Sequence, residues 1–236
     1  MGQCLPQASA ARRLPAPTAI LFDLDDTLVA SASTWQVAET VLLRQFGRPY
    51  EPAQAHRYKG LNALDVGGAI WDYVRPAGMT RAECGRALRA LLLEEVRHGA
   101  PQLMPGAAAL LARLGGRYRL ALASGSPPEV IALLARRFGW DRQFAVLLSS
   151  EEVPRGKPAP DVFLAAATRL GVAPAACLVV EDSAHGVAAA RAAGMRCVAV
   201  NAPARWPELA AADRCCATLA GVGEWLDEAA GPTGAG

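Results

Sequence analysis

Residues 19–28 read Ala-Ile-Leu-Phe-Asp-Leu-Asp-Asp-Thr-Leu. The first four are apolar with no polar alternation, which predicts a short strand buried on both faces. Asp23, Asp25 and Asp26 then crowd three carboxylates that would repel one another without a cation or another charge partner. A bend after Phe22 would direct Asp23 and Asp25 toward one point. A calcium-binding EF-hand loop does not fit, because its glycine and terminal glutamate are missing.

Further apolar runs alternate with helical patterns along the chain. The runs predict buried strands at 118–123, 145–148, 177–180 and 197–200. The patterns between them predict helices at 106–114, 127–138, 161–170 and 184–193. This alternation predicts an α/β fold, in which helices cover both faces of a parallel sheet.

The stretch from 31 to 103 interrupts the alternation. It contains helical patterns at 35–46, 63–74 and 81–96 and no convincing strand. We expect an all-helical cap domain here, since inserts of this size on an α/β sheet often act as lids. A helical decoration without a moving part is the alternative. The rest of the chain divides into a flexible leader (1–17), a core domain (18–30 and 104–230) and a flexible tail (231–236).

A second acidic pair, Glu181 and Asp182, follows the apolar run at 177–180. Ligand sites in parallel sheets lie beyond the carboxyl ends of the strands, so this pair can meet Asp23 and Asp25 there. Together these residues would offer the hard oxygen ligands that Mg²⁺ prefers. Asp182 could also cap the following helix, and the two roles are compatible.

Two further positions suit an anion. Ser124 and Gly125 follow a predicted strand and offer a hydroxyl and backbone N–H groups ahead of a helix, although a serine-capped turn is the simpler interpretation. Lys157 lies in a loop stiffened by prolines, where its ammonium group could neutralise a phosphate or a group of carboxylates. The chain has only two lysines, Lys59 and Lys157, against 22 arginines, which marks both lysines as candidates.

Composition argues against several other classes. The 236 residues include 24 basic and 22 acidic ones, for a net charge of +2, with no basic cluster. We therefore expect neither a nucleic-acid binder nor a membrane-bound protein. No apolar run approaches the roughly 20 residues of a membrane helix. The 6 cysteines lack C-x-x-C spacing and the start lacks an apolar signal-peptide core, so we expect a cytoplasmic protein.

The motifs occur in a specific order: Asp-x-Asp-x-Thr at 23–27, then Ser124, then Lys-Pro at 157–158, then Glu-Asp-Ser at 181–183. In this order the sequence resembles the haloacid dehalogenase-like hydrolase superfamily. Within that superfamily it is similar to the helical-capped enzymes related to β-phosphoglucomutase and phosphoglycolate phosphatase. The resemblance covers about 18–200 and implies a Rossmann-like α/β core beneath a helical cap.

The resemblance also implies roles for the acidic residues. The residue matching Asp23 attacks phosphorus and forms an aspartyl-phosphate. The residue matching Asp25 protonates the leaving oxygen and then takes a proton from water. Mg²⁺ would bind Asp23, the backbone carbonyl of Asp25, Asp182, and Glu181 directly or through water.

The same resemblance places Ser124, Gly125 and Lys157 at the transferring phosphoryl group. In the cap it directs attention to the loop between two helices, which supplies the candidate specificity residues His56, Lys59, Gly60 and Asn62. These cationic and hydrogen-bonding groups suit a hydroxylated or anionic substrate. A solvated turn is an equal alternative for His56 and Gly60.

Departures from the family pattern indicate which of the family's reactions to expect. Haloacid dehalogenases proper usually lack an acid at the position of Asp25, so its presence favours phosphoryl transfer. β-Phosphoglucomutases usually carry a cap histidine and a cap arginine that the matching stretches here, 33–36 and 58–63, lack. A mutase must hold a second phosphate, so this absence favours simple hydrolysis, although His56 or Arg57 could substitute.

We therefore expect a Mg²⁺-dependent phosphatase that acts on a small phosphorylated metabolite, either a sugar phosphate or phosphoglycolate. A hexose-phosphate mutase is the second hypothesis. A phospho-acceptor signalling module also uses an acidic Mg²⁺ pocket, but such modules are usually about half this length and carry no helical insert. We expect a monomer with a hinged lid.

Overall fold

The computed structural model describes residues 4–6, 16–200 and 207–230. The strands in these ranges are β1 Cys4–Pro6, β2 Ala19–Phe22, β3 Val29–Ala30, β4 Gln102–Leu103, β5 Arg119–Ser124, β6 Val146–Ser149, β7 Cys177–Glu181, β8 Arg196–Val200 and β9 Arg214–Cys216. The α-helices in the same ranges are α1 Ala32–Gln45, α2 Pro52–His56, α3 Ala63–Val74, α4 Arg81–His98, α5 Ala107–Leu114, α6 Pro128–Phe138, α7 Asp161–Leu170, α8 Ala184–Ala192 and α9 Leu219–Ala230. The predicted tail, 231–236, and most of the predicted leader lie outside the described residues.

The main sheet has the strand order β1-β9-β8-β7-β2-β5-β6 within the described ranges. Neighbouring strands are parallel except β1, which pairs antiparallel to β9. In the central strand β2, Phe22 pairs with Val180 of β7 on one side and with Leu122 of β5 on the other. The carboxyl ends of these three strands therefore meet at one edge. This arrangement confirms the predicted α/β fold.

Strand β2 is buried on both faces. Ile20 and Phe22 pack in one apolar cluster with helices α5, α6 and α9, whereas Ala19 and Leu21 pack in a second cluster with α7 and α8. Successive side chains of a strand point to opposite faces of the sheet, so both faces need apolar residues. The unbroken apolar runs in the sequence follow from this two-sided burial.

Helices α1 to α4 form the predicted helical insertion between β3 and β4. They have their own apolar cluster, which includes Leu42, Ile70 and Leu88. β3 and β4 pair antiparallel, with Val29 opposite Leu103, so the chain enters and leaves the insertion side by side. The structure thus has a helical cap on an α/β core, and the assignment of 31–103 to the cap stays a prediction.

Four strands differ from what the sequence pattern predicts, and one of them, Val29–Ala30, follows the acidic stretch that comes after the predicted strand at 19–22. Gln102–Leu103 lies in a stretch with no predicted strand, yet it pairs with Val29–Ala30. Cys4–Pro6 lies in the predicted flexible leader, yet it pairs with Arg214–Cys216, a strand that is also not predicted. These two- and three-residue strands are defined by distant partners, and a local pattern carries little information about such pairing.

The cysteines also differ from expectation at one position. Cys216 is disulfide-bonded, whereas the cysteine spacing led us to expect a protein of the reducing cytoplasm. The structure also describes four free, buried cysteines: Cys84, Cys177, Cys197 and Cys215. None of the described helices has the length and apolarity needed to span a bilayer.

We expect Gly67→Ala to destabilise the cap. A methyl group at Gly67 of α3 would lie 2.5 Å from the Cα of Gly85 in α4, where only a backbone shift can relieve the overlap. At the neighbouring Gly68, a methyl group would meet only the end of the Arg81 side chain, which is half exposed and can move.

Both substitutions gain the same helix propensity, so the difference between them isolates the overlap. Urea unfolding should give a free energy for Gly67→Ala about 1–3 kcal/mol below that for Gly68→Ala. Equal unfolding free energies would show that α3 and α4 are not packed at Gly67.

Candidate active site

The acidic residues lie at the carboxyl edge of the sheet. Asp23 follows β2, Glu181 is the last residue of β7, and Asp182 comes directly after it. Asp23 is still in register with β7, because its backbone N–H donates to the carbonyl of Val180 at 3.0 Å. The chain then turns at Asp26, whose φ of 54° lies in the left-handed region that aspartate tolerates better than most residues. This turn keeps the acidic stretch at the edge.

Three carboxylates form a cluster, which we call the acid cluster. Asp23, Glu181 and Asp182 each present an oxygen, and these oxygens lie within 4.8 Å of one another. Burial raises the pKa of Asp23 well above its usual value, although Lys157 opposes this effect. Burial likewise raises the pKa of Asp182 to about 7, with Lys59 opposing and Glu181 adding to the rise. The cluster is therefore short of positive charge, and its hard oxygen donors fit a small divalent cation such as Mg²⁺.

Lys157 bridges two members of the acid cluster. Its Nζ donates to Asp23 Oδ1 at 2.6 Å and to Glu181 Oε1 at 2.7 Å, and its side chain is 0% exposed. Burial alone would lower the pKa of Lys157, but the two carboxylates outweigh burial and raise it. Burial would also raise the pKa of Glu181, yet Lys157 and the hydrogen bonds from Ser183 hold that pKa below its usual value. Lys157 and Glu181 are therefore a charged, buried pair.

Asp25 lies beside the acid cluster rather than within it. Its carboxylate accepts hydrogen bonds from Ser126 Oγ at 2.7 Å, Ser124 Oγ at 3.2 Å and Trp35 Nε1 at 2.9 Å. These three donors fix the orientation of the carboxyl group. The side chain of Asp25 is not part of the carboxylate cluster found among the described residues, so a metal contact would have to use its backbone carbonyl.

Lys59 is the cap residue that reaches the acid cluster. Its Nζ lies 2.6 Å from Asp182 Oδ2 and 2.7 Å from Asp26 Oδ2. Burial would lower the pKa of Lys59, but the two carboxylates raise it. The Asp26 carboxylate also accepts from the backbone N–H groups of Ser31 and Ala32 at the start of α1. Both lysines of the chain therefore lie at this edge of the sheet.

Two glycines allow the cap loop, residues 57–62 between α2 and α3, to approach the core closely. A methyl group at Gly60, which has a φ of +89°, would overlap the side chain of Ser183. A methyl group at Gly125 would lie 2.5 Å from the carbonyl oxygen of Leu61 in the cap. Gly60 and Gly125 thus serve the contact between cap and core, and Gly125 keeps its predicted place beside the acidic residues.

The other two cap candidates have partners of their own. Asn62 caps α3, because its Oδ1 accepts from the backbone N–H of Asp65 at 2.9 Å and its Nδ2 donates to the Asp65 carboxylate at 2.7 Å. His56 is half exposed, and its Nε2 lies 2.9 Å from the Glu208 carboxylate. Asn62 therefore holds the cap loop in shape, whereas His56 remains beside the cavity between cap and core.

A cavity of about 220 Å³ lies between the cap and the core. Core residues Asp23, Asp25 and Asp182 line it, together with Trp35 and Glu39 of α1. Sequence reasoning missed Trp35 and Glu39 as site residues. Their i,i+4 spacing places both on one face of a helix, but the sequence alone does not reveal which face of α1 turns toward the core.

A buried acid cluster with a bridging lysine, at the carboxyl edge of a parallel sheet and under a helical cap, is an arrangement suited to phosphoryl transfer. The sequence matches the model of the haloacid dehalogenase-like hydrolase family over residues 17–194, and the chain belongs to that family.

Several proteins with similar sequences are named as phosphatases. Hexitol phosphatase A of Escherichia coli (strain K12) is 35% identical over 192 residues, which cover 80% of this chain and 85% of that protein. Fructose-1-phosphate phosphatase YqaB of the same organism is 30% identical over 186 residues, covering 77% and 95%. With the family match, these relatives identify the chain as an enzyme of the haloacid dehalogenase-like phosphatase class.

Solved structures agree with the fold. CbbY from Rhodobacter sphaeroides in complex with xylulose-(1,5)-bisphosphate has a TM-score of 0.75 at 27% identity, covering 86% of this chain and 95% of that one. β-Phosphoglucomutase from Clostridium difficile has a TM-score of 0.76 at 20% identity, covering 86% and 92%. The latter likeness establishes a shared fold only.

We expect Lys157→Met to destabilise the protein strongly. The substitution leaves Asp23 and Glu181 buried without their cation, a loss of about 3–5 kcal/mol for breaking a buried ion pair. Urea unfolding at neutral pH without Mg²⁺ measures the effect.

Arg155→Met is the matched control, because Arg155 pairs with Asp161 at the surface and its side chain is 70% exposed. If both variants unfolded at the same urea concentration, the ion pair at Lys157 would contribute nothing to stability.

We expect Trp35→Phe to lower kcat on an alkyl phosphate by about 10- to 100-fold, because the hydrogen bond that orients Asp25 is lost. Trp71→Phe is the control: Trp71 Nε1 donates to the carbonyl of Met79 within the cap, 2.7 Å away. Steady-state phosphate release distinguishes the variants, and equal kcat values would show that Trp35 does not position Asp25.

Proposed function

We propose that this chain is a Mg²⁺-dependent phosphatase that hydrolyses a small phosphorylated metabolite through an aspartyl-phosphate on Asp23. The proposal rests on the acid cluster of Asp23, Glu181 and Asp182, bridged by Lys157 and placed beside the cavity. The relatives named as hexitol and fructose-1-phosphate phosphatases support a sugar phosphate as substrate. Phosphoglycolate is the other candidate that the sequence suggests.

Asp23, Glu181 and Asp182 would hold Mg²⁺, and the backbone carbonyl of Asp25 is a further proposed ligand. Bound Mg²⁺ supplies neutralisation of charge on the phosphoryl oxygens. The raised pKa values of Asp23 and Asp182 support this assignment, because burial and crowding disfavour ionisation of both carboxyls unless positive charge is added.

Asp23 is the proposed nucleophile. Lys157 holds its Oδ1, and no hydrogen bond from a described residue occupies its Oδ2. A carboxylate oxygen of Asp23 attacks phosphorus, a new P–O bond forms, and the bond from phosphorus to the substrate oxygen breaks. Water then attacks the aspartyl-phosphate, which releases inorganic phosphate and restores the carboxylate.

Asp25 is the proposed acid and base. It stands two residues beyond the nucleophile, and Ser126 and Trp35 fix its carboxyl group. In the first step Asp25 gives its proton to the departing substrate oxygen. In the second step its carboxylate takes a proton from the attacking water, so the residue ends each cycle as it began.

The phosphoryl group would be held by Lys157, the backbone N–H of Gly125 and the hydroxyl of Ser124. Gly125 lines the cavity, which supports its role. The Ser124 hydroxyl donates to Asp25 at 3.2 Å, so it would have to exchange this partner for a phosphate oxygen. The cap above these groups would exclude bulk water, which strengthens each electrostatic contact.

A hexose-phosphate mutase is the second candidate, and the fold shared with β-phosphoglucomutase keeps it open. The cap residue that donates a hydrogen bond to Asp25 is Trp35. Its indole cannot take up a proton, unlike the histidine that β-phosphoglucomutases usually carry in the cap, and this difference favours simple hydrolysis. Four cap helices and a cavity between cap and core also disfavour a phospho-acceptor signalling module. The cytoplasmic location, the monomeric state and the absence of nucleic-acid and membrane partners stay predictions.

A phosphate-release screen tests the proposal. The purified protein is incubated with p-nitrophenyl phosphate, sugar monophosphates and phosphoglycolate, with Mg²⁺ and after chelation. We expect inorganic phosphate from at least one sugar phosphate, loss of release on chelation, and recovery when Mg²⁺ is restored.

Asp23→Asn should release no phosphate, because the amide is not a nucleophile. Asp72→Asn, at an exposed position of α3, should keep full activity. Full activity of Asp23→Asn, or release that chelation leaves unchanged, would contradict the proposal. Conversion of β-glucose 1-phosphate to the 6-phosphate without free phosphate would establish the mutase instead.

A further inference from the structure

Glu39 is a buried carboxylate that has no partner among the described residues. It lies on α1, is 6% exposed, and lines the cavity that the catalytic aspartates also line. None of the described residues donates a hydrogen bond to it or forms an ion pair with it, and burial alone raises its pKa to about 7. Burying a carboxylate without a donor is costly, so such groups in proteins are normally paired.

Glu39 lies where the part of a substrate that is attached to the phosphate would extend. Trp35, one helical turn earlier, contacts Asp25, and residues four apart lie on the same helix face. The axial rise places Glu39 about 6 Å further along α1 from this contact. A group attached to a phosphate at the acid cluster would extend over about this distance.

The charges around the cavity restrict what that group can be. Of the described residues that line it, those with basic side chains are Lys59 and His56. Lys59 is held by Asp26 and Asp182, and His56 lies 2.9 Å from Glu208. A second phosphate or a carboxylate on the substrate would therefore meet no uncommitted cation in this lining, and it would be repelled by an ionised Glu39.

Hydroxyl groups fit the same surroundings. A carboxylate accepts from two neighbouring hydroxyls at once, and each bond to the charged acceptor is stronger than a neutral one. Tyr50 and Tyr58 also line the cavity. Burial is the main cause that raises the pKa of each tyrosine, and the negative charge of Glu39 raises both further. Glu39 thus lies close to two aromatic residues that can pack against a carbon chain or ring.

We propose that Glu39 is the specificity-determining residue of the cap: it accepts hydrogen bonds from the hydroxyls of a phosphomonoester whose polyhydroxylated part carries no charge, and it disfavours substrates that carry a second anionic group. The inference rests on the proposed phosphatase function and deepens it. It favours a sugar or sugar-alcohol monophosphate over phosphoglycolate and over bisphosphates.

The test compares wild type with Glu39→Gln and Glu39→Leu on four probes. These are sorbitol 6-phosphate, p-nitrophenyl phosphate (which has no hydroxyls), phosphoglycolate and fructose 1,6-bisphosphate. Glu94→Gln, at an exposed position of α4, is the matched control. Both Glu39 variants should fold, because each removes a buried charge that no described residue pairs.

We expect Glu39→Leu to lower kcat/KM for sorbitol 6-phosphate by about 10- to 100-fold, the range for a lost hydrogen bond to a charged group. Glu39→Gln, which keeps one acceptor, should lose less. Activity on p-nitrophenyl phosphate should not fall by more than about two-fold, since that probe makes no such bond. Relative activity on phosphoglycolate should rise in both variants.

Two kinetic results would overturn the proposal. One is a wild-type preference for phosphoglycolate or the bisphosphate over sorbitol 6-phosphate. The other is an equal loss on all four probes in Glu39→Leu, which would indicate a structural role only.

A binding measurement separates this inference from the proposed function. With Asp23→Asn as a non-hydrolysing background, sorbitol 6-phosphate should raise Tm in the presence of Mg²⁺ by linkage, and the added Glu39→Leu substitution should abolish that rise. If the wild type hydrolyses nothing, the proposed function fails, and the Tm shift still decides about Glu39. A shift that survives Glu39→Leu would refute the inference even where hydrolysis is found.

Discussion

One buried ammonium group, held between two carboxylates, organises the site. Lys157 contacts Asp23, at the end of the central strand, and Glu181, at the end of its neighbour. The contact fixes a loop from elsewhere in the chain against the edge of the sheet, and without the lysine two buried carboxylates would face each other unpaired. Because Lys157 occupies only one oxygen of Asp23, the same contact that stabilises this edge leaves the other oxygen for chemistry.

The cap docks on the core through a similar arrangement. Lys59 lies between Asp26 and Asp182, so a positive group from the cap meets the negative edge of the core. Gly60 and Gly125 remove the side chains that would otherwise hold the two surfaces apart. Since Asp182 contacts Lys59 and is also a proposed metal ligand, the closure of the cap and the charge of the acid cluster are physically connected.

The sequence predicts the core well and the contacts between cap and core poorly. The bounds of Ala19–Phe22, Ala63–Val74 and Asp161–Leu170 agree with the predicted ones, because two-sided burial and helical periodicity are local signals. The acid cluster could be predicted because its residues follow two parallel strands, whose carboxyl ends lie at the same edge of the sheet. Trp35 and Glu39 could not be assigned to the site, because the rotation of α1 depends on packing between segments distant in sequence.

The confinement of lysine to residues 59 and 157 gives the molecule an unusual chemical property. The Lys157 side chain is 0% exposed and that of Lys59 is 24% exposed, so Lys59 is the lysine whose side chain solvent reaches in the folded chain. A reagent that acylates lysine would therefore report on a single locus. Its rate at Lys59 would depend on how often the contacts of Lys59 with Asp26 and Asp182 break, so lysine-specific labelling read at this residue would measure the opening of the contact between cap and core.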